Sequence, residues 1–247
     1  MRAKRPLGVL LAALLALPVG AARAADPGTC ADTVHRGRDF TVCTADLDRH
    51  RIGLHLRDAA GRTIGTFRNL EAGAGPVLFA MNAGMYHHDR SPVGLYVEDG
   101  RRAAALVTAA GPGNFGMLPN GVFCAGPGGA RVVESRAFAA APPDCEIATQ
   151  SGPMLLIDGA PHPRFLADSP YRNVRNGVGA TPDGRRVHFA ISNEPVTFHE
   201  MATLFRDALG VRDALYLDGR VSRLHAPGQG RSDGGWPMGP ILSVSAR

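Results

Sequence analysis

Residues 188–219 read HFAISNEPVTFHEMATLFRDALGVRDALYLDG, and the fold follows from how this stretch is divided. An apolar run, Val187 to Ile191, is followed by Met201, Leu204, Phe205, Ala208 and Leu209 at helical spacing. A second apolar run, Ala214 to Leu217, closes the stretch. Thr197 and Glu200 stand three apart, as in a capping box, and Gly210 supplies a helix stop. Strand, helix and strand of these lengths predict a βαβ-like crossover with the two strands parallel. That puts Asp218 at the carboxyl end of a parallel strand, where open α/β sheets present ligand-binding groups. Asp218-Gly219 is also a common turn dipeptide, so the dipeptide by itself does not choose between turn and site.

Working outward, short apolar runs alternate with Gly- and Pro-containing turns. Strands are expected over 40–44, 52–56, 63–67, 77–81, 93–97, 103–107, 122–125, 132–134, 154–157, 177–180 and 241–244. VEDGRR (97–102) and TPDGRR (181–186) read as tight turns. The fold class is therefore α+β: a strand-rich mixed sheet with few helices and one crossover near the C-terminus. No linker or low-complexity tract divides residues 25–247, which are read as a single domain of ordinary size.

Residues 1–24 have a basic start, an apolar run from Leu7 to Leu17 and an Ala22-Arg23-Ala24 cleavage pattern, which predicts a secretory signal. The run is too short to span a bilayer, so no stable membrane insertion is expected. Its removal takes four basic residues and no acidic one, lowering the formal charge from +5 to +1. The remaining chain offers no broad basic field for nucleic acid. Lys4 is the one lysine, which excludes Schiff-base, P-loop and Ser-x-x-Lys chemistry from the mature chain. Cys30, Cys43, Cys124 and Cys145 include no Cys-x-x-Cys pair. For an exported chain they read as two disulfides, with Cys30–Cys43 and Cys124–Cys145 favoured as the shortest of three connectivities. The expected location is periplasmic or secreted.

Several apolar runs end on a small polar group beside glycine: Asn82 and Gly84, Asn120 and Gly121, Ser151 and Gly152, Arg175 and Asn176. Each alone reads as a turn, but together they supply amides, a hydroxyl, a guanidinium and a carboxylate, with glycines that let backbone approach a ligand. NAGMY (82–86) with SPVGLY (91–96), NGVF (120–123), QSGPMLLIDG (150–159), RNGVGATPDGRRVHFAIS (175–192) and EMATLFRDALGVRDALYLDGRVSRL (200–224), in that order, resemble the phosphodiester glycosidase family. The resemblance runs from about Val77 to the C-terminus; residues 26–75 match less clearly.

The resemblance implies release of a sugar from a sugar-1-phosphodiester in an envelope or extracellular glycan, with no cofactor. It implies site positions at Asn82, Gly84, Ser151, Gly152, Arg175, Asp218, Gly219 and Ser222, with Glu200 as a candidate second carboxylate. Two departures stand out. The family's Asp-Gly-Gly-Gly-Ser is Asp218-Gly219-Arg220-Val221-Ser222 here, and its Arg-Thr or Arg-Ser is Arg175-Asn176. Arg175 is expected to grip phosphate and Asp218 to attack the anomeric carbon or activate water. Asn82, Asn120, Ser151 and Asn176 would hold sugar hydroxyls or phosphate oxygens. Glu200 is also fully explained by its capping box.

No metal is assigned, since neighbouring His87 and His88 point apart on an extended chain and no His-Glu-x-x-His occurs. Two other functions compete. A serine-type cell-wall hydrolase at Ser151 lacks the Gly-x-Ser-x-Gly elbow and has Pro153 where an oxyanion donor is wanted. A non-catalytic glycan-binding module is poorly supplied with stacking surface, Trp236 being the one tryptophan. The glycosidase reading requires Asn82, Ser151, Arg175 and Asp218 to meet at one cleft.

Overall fold

The computed structural model describes residues 28–218 and 220–247; the expected signal segment and Gly219 lie outside them. Among the described residues, three sheets make up the α+β fold. The largest orders its strands Cys30–His35, Arg38–Asp46, Arg186–Ser192, Asn176–Ala180, Ala214–Asp218, Met154–Ile157 and Ala160–Pro161. A second runs Arg231–Ser232, Leu224–Ala226, Phe79–Asn82, Ile241–Ala246, His50–His55, and a third Arg101–Ala104, Tyr96–Glu98, Ile147–Ser151, Gly121–Gly126, Gly129–Glu134.

The crossover forms, with one correction. Strands Arg186–Ser192 and Ala214–Asp218 do run in the same direction, but Asn176–Ala180 lies between them and is antiparallel to both. Every ladder of the large sheet is antiparallel, so Asp218 is not at the edge of an open parallel sheet. The unbroken apolar runs have another cause: both faces of this sheet are covered. Val187, Phe189, Ile191, Leu215 and Leu217 face the core shared with the other sheets, while Ala190, Ala214 and Tyr216 face the crossover helix. Alternation disappears when both sides are dry, whichever way the strands run.

The helix starts as expected. Thr197 Oγ1 accepts the Glu200 N–H at 3.1 Å and a Glu200 oxygen accepts the Thr197 N–H at 2.8 Å. After Phe198–Thr203 it widens to a π turn over Leu204–Ala208, with the Leu209 N–H donating to the Leu204 carbonyl, and Gly210 ends it at φ 65°. Met201, Ala202, Leu204 and Phe205 are buried under it.

Other elements differ from the sequence reading. The expected strand 63–67 is a single bridge from Thr63 to Arg57, followed by a helix, Phe67–Ala74, capped by Thr66 and burying Phe67 and Leu70. Three-residue spacing of two apolar side chains fits a helix turn, and so short a run could not be told from a strand. Strand Ile147–Ser151 has no apolar run to mark it, since Thr149, Gln150 and Ser151 are polar, although all three are buried. Gln150 Oε1 accepts the N–H groups of Leu95 and Val107, both at 3.0 Å, which compensates its burial.

Both expected disulfides are present. Cys30–Cys43 joins directly paired strand residues, and Cys124–Cys145 ties strand Gly121–Gly126 to the segment before Ile147. The N-terminal strands, which resembled the family least, complete the large sheet, with Thr44 opposite His188.

His188 is 4% exposed and its Nδ1 lies 3.0 Å from Thr44 Oγ1. Burial, aided by Arg186, lowers its pKa from 6.5 to about 4. The unfolded chain therefore takes up this proton between pH 6.5 and 4 while the folded chain does not, so stability is full above the unfolded value and falls as pH drops through the window. Expressed as linkage, the loss is about 3 kcal/mol. Urea denaturation from pH 7 to 4 is expected to show a shallower stability loss in His188→Gln than in the wild type.

Candidate active site

Strand Ala214–Asp218 ends at a cleft of about 640 Å³, a size suited to a small-molecule site. Tyr216, Asn114 and Asn173 line it beside Asp218 and Arg220. One flank is Met85 to His88 with Arg90 and Val93, and the other is Val221, Trp236 and Pro237. A cavity of about 360 Å³ lies at the far end of the large sheet, around Ala180 to Gly184 and Arg212. It lies at the opposite end of strand Ala214–Asp218 from Asp218, so the first cleft is the candidate.

Immediately behind Asp218, three polar side chains form a closed node. Asn176 Oδ1 accepts the Asp218 N–H at 3.0 Å, the Ser222 hydroxyl at 3.3 Å and Asn82 Nδ2 at 3.3 Å. Asn176 Nδ2 donates to the Asn82 backbone and side-chain oxygens, both at 3.1 Å. Asn82 Oδ1 in turn accepts the Arg223 N–H at 2.9 Å, and the Ser222 hydroxyl also reaches the carbonyls of Asp218 and Val174. Both asparagines are fully buried. They grip the two ends of the 218–223 loop rather than the cleft space. The backbone register shifts at this point, Asn176 pairing with Asp218 and Gly177 with Tyr216. Such a bulge re-aims the strand end.

Ser151 is fully buried and its hydroxyl donates to the Leu217 carbonyl at 2.8 Å, fixing the residue before Asp218. That use, with no histidine bonded to it, gives no support to a serine nucleophile. Gly84 donates its N–H to Thr149 Oγ1 at 3.1 Å, and a Cβ there would run into the Gln150 carbonyl oxygen. The close crossing lets the chain leave strand Phe79–Asn82 and reach the cleft two residues later at Tyr86. At Gly152 a Cβ would lie 2.7 Å from Asn120 Cβ and 2.9 Å from the Phe115 carbonyl. Asn120 Nδ2 donates to that same carbonyl at 2.9 Å, while its Oδ1 is buried with no partner among the described residues. Gly152 and Asn120 thus seat the loop that carries Asn114.

Arg175 lies under the cleft rather than in it. It is 2% exposed, with Nε donating to the Val196 carbonyl at 2.9 Å, Nη2 to Tyr171 O at 3.3 Å and Nη1 to Tyr216 Oη at 3.4 Å. None of its partners among the described residues is a carboxylate. Its charge rests instead on rings, 3.7 Å over Phe198 and 5.5 Å from Tyr216. Burial draws its pKa down from the usual arginine value, and Tyr216 opposes that shift. His162, Phe165 and Phe198 stack with centroids 4.8–4.9 Å apart, and Tyr216 meets Phe198 edge-on at 4.8 Å. Burial raises the Tyr216 hydroxyl, so it remains a donor, and Asn114 bonds to it.

Glu200 does not line the cleft. Burial raises its pKa, but the Thr197 N–H and the guanidinium groups of Arg172 and Arg38, at 2.7 and 3.1 Å, outweigh that and leave it lowered. Its two oxygens serve the helix cap and two cations. Within the cleft, Arg220 donates its N–H to Asp218 Oδ1 at 2.7 Å. Tyr86 packs against Gly239, where a Cβ would strike its ring, and Arg90 sits 5.6 Å over the same ring. Burial, then the Asp218 carboxylate, raises the Tyr86 pKa. Tyr86, Arg90, Asn114, Asn173 and Tyr216 went unremarked in the sequence because each sits in an ordinary loop or apolar strand. Among the described residues, no group of three or more His, Cys, Asp or Glu side chains could hold a metal ion.

A model of the phosphodiester glycosidase family matches residues 76–229. The chain is 33% identical over 238 residues to the uncharacterized protein YigE of Escherichia coli (strain K12), covering 95% of this chain and 91% of that one. Among solved structures, it is similar to the catalytic domain of zebrafish N-acetylglucosamine-1-phosphodiester alpha-N-acetylglucosaminidase, described as auto-inhibited by its pro-peptide. The TM-score is 0.58 at 15% identity, over 92% of this chain and 87% of that one. A putative exported protein of Burkholderia pseudomallei K96243 superposes with TM-score 0.59 at 12% identity, over 87% and 74% of the two chains. At these identities the structural likeness bears on the fold.

Asn176→Ala strands the Asp218 N–H and the Asn82 amide in a buried place. Unpaired buried groups cost roughly 1–3 kcal/mol each. The variant is expected to lose about 2–4 kcal/mol in chemical denaturation, and to exchange its Asp218 amide hydrogen faster than the wild type.

Proposed function

This chain belongs to the phosphodiester glycosidase family, and from that membership we propose that it is an exported hydrolase that releases a sugar from a sugar-1-phosphodiester at the Asp218 cleft. The observation that carries the reading is convergence. Asn82, Ser151, Asn176 and Ser222, spread over 140 positions, all bond to the backbone or loop that presents Asp218. A strand end whose backbone is held from four sides presents its carboxylate to the cleft from a set position. The zebrafish relative's name specifies an N-acetylglucosamine-1-phosphodiester, which supports an N-acetylglucosamine-like donor here. Two disulfides and the signal-like leader support export to an oxidising compartment.

In the proposed reaction Asp218 attacks the anomeric carbon or takes a proton from the water that does. The bond between that carbon and the bridging oxygen breaks, and the electron pair leaves on the phosphomonoester. Water supplies the new hydroxyl, so the products are free sugar and a phosphomonoester. Because a phosphomonoester is a much weaker base than an alkoxide, one carboxylate suffices, and Glu200 is left to its cap and its two arginines.

The geometry favours Arg220 and Arg90 as the phosphate-contacting cations. With Asp218 they leave the cleft a formal balance of +1 when the histidines are neutral, matching the single charge of a phosphodiester. Arg175 then acts from beneath as a positioning residue, holding Tyr216 and the 171–175 backbone. Asn82, Asn176, Ser151 and Ser222 are positioning residues too, and Asn114, Asn173 and Tyr86 are the polar groups available to sugar hydroxyls.

Asp218→Asn keeps an oxygen for the Arg220 N–H and is expected to hold its melting temperature while kcat on N-acetylglucosamine-1-phosphomethyl falls by about 10³-fold or more. Undiminished sugar release by that variant would overturn the mechanism. Arg220→Ala is expected to raise KM for phosphodiesters about tenfold, with little change for an uncharged aryl glycoside.

A further inference from the structure

Val221, Trp236 and Pro237, which form one flank of the cleft, carry a single side-chain hydrogen-bonding group between them, the indole N–H. Trp236 is 82% exposed, more than any other large apolar residue among those described. Its backbone is nonetheless strapped down. Arg223 donates Nη1 to the Trp236 carbonyl, and its guanidinium fills the place a side chain at Gly235 would take. Pro237 lies 3.1 Å from the Cβ position of Gly65, and the Met238 N–H donates to the Gly65 carbonyl at 2.8 Å. The indole is thus held toward solvent from an ordered support. The 85–93 segment brings Arg90 with His87 and His88, beside Met85, Tyr86 and Val93, so the cationic side chain of this segment stands apart from the Val221, Trp236 and Pro237 wall.

The cationic side and Asp218 account for the phosphate and the anomeric carbon. The apolar side remains for whatever the phosphate esterifies. A sugar could lay a C–H face on the indole, but its hydroxyls would find one side-chain partner on this wall, the indole N–H. A hydrocarbon chain has nothing to leave unpaired and gains from every methylene it hides.

We infer that this wall receives an apolar alcohol, so that the substrates are sugar-1-phosphodiesters of alkyl or prenyl alcohols and Trp236 determines that specificity. The inference rests on the glycosidase reading above. Hydrolysis then yields free sugar and a monoalkyl or monoprenyl phosphate, with water as the one co-reactant.

Four diesters test it: N-acetylglucosamine-1-phosphate esterified to methanol, octanol, farnesol, or the 6-hydroxyl of mannose. Burying one methylene is worth about fourfold, so kcat/KM is expected to rise at least ~tenfold from methyl to octyl and to hold for farnesyl. In Trp236→Ala the octyl-to-methyl ratio is expected to collapse toward one, and in Trp236→Phe to be largely kept. Equal rates for methyl and octyl, or a mannosyl diester cleaved faster than octyl, would overturn the inference while leaving the glycosidase reading intact. Trp236 is the sole tryptophan, so its emission reports binding independently of turnover. If no diester is cleaved the glycosidase reading falls. The apolar wall then survives when octyl diester shifts the emission at roughly tenfold lower concentration than methyl, and falls with it when the two are equal.

Discussion

The site depends on a pair of buried amides, Asn82 and Asn176, that satisfy each other and in doing so hold the backbone on both sides of the Asp218 loop. Asparagine suits this place because one side chain carries donors and an acceptor in a single plane, so two of them can bond each other and still serve backbone groups. In a dry interior each of these bonds is strong and each broken one is costly, which makes the arrangement an all-or-none clamp. Asp218 inherits its placement from that clamp, from the Ser151 bond to Leu217 and from the bulge between Asn176 and Gly177.

A second constraint comes from below. Arg175 is buried without a carboxylate partner among the described residues, and the protein accommodates its charge with carbonyl oxygens and the faces of Phe198 and Tyr216. An ion pair would have neutralised it, whereas rings and dipoles leave it a full charge beside Tyr216, which lines the cleft. Phe198 opens the crossover helix and Val196 directly precedes its cap, Thr197, so the capping box that starts this helix also helps place the arginine. Glu200 joins the two functions without touching the cleft: it closes the cap and ties Arg38 and Arg172 to it.

The flanks divide the remaining work by chemistry. One loop brings His87, His88 and Arg90, and a strapped C-terminal segment brings Trp236 and Pro237. Gly84 and Gly239 make the first of these possible, the one by letting strands cross closely at Gln150 and the other by leaving room for the Tyr86 ring. The departures at Arg220 and Val221 fall within this same space, adding one cation beside Asp218 and one apolar contact on the far wall.

Much of this was legible in the sequence. Helix 198–208, its cap, most strands and both disulfides follow from spacing and turn chemistry, because these are local signals; the motif order marked Asn82, Ser151, Arg175 and Asp218 as one set, of which Asp218 lines the cleft and the other three are buried. What each polar residue does there was not legible. A motif records that Asn82 or Arg175 is needed, but whether a side chain faces a ligand or a neighbouring backbone is decided by burial and by contacts between segments more than 90 residues apart. Strand direction was hidden for the same reason: ALYL looks alike in a parallel sheet and in an antiparallel one covered on both faces. The sequence by itself determined the elements and the chemical groups available. Only tertiary packing decided which groups meet solvent in the cleft and which are spent holding it open, since that choice is made by long-range hydrogen bonds and exclusion of water.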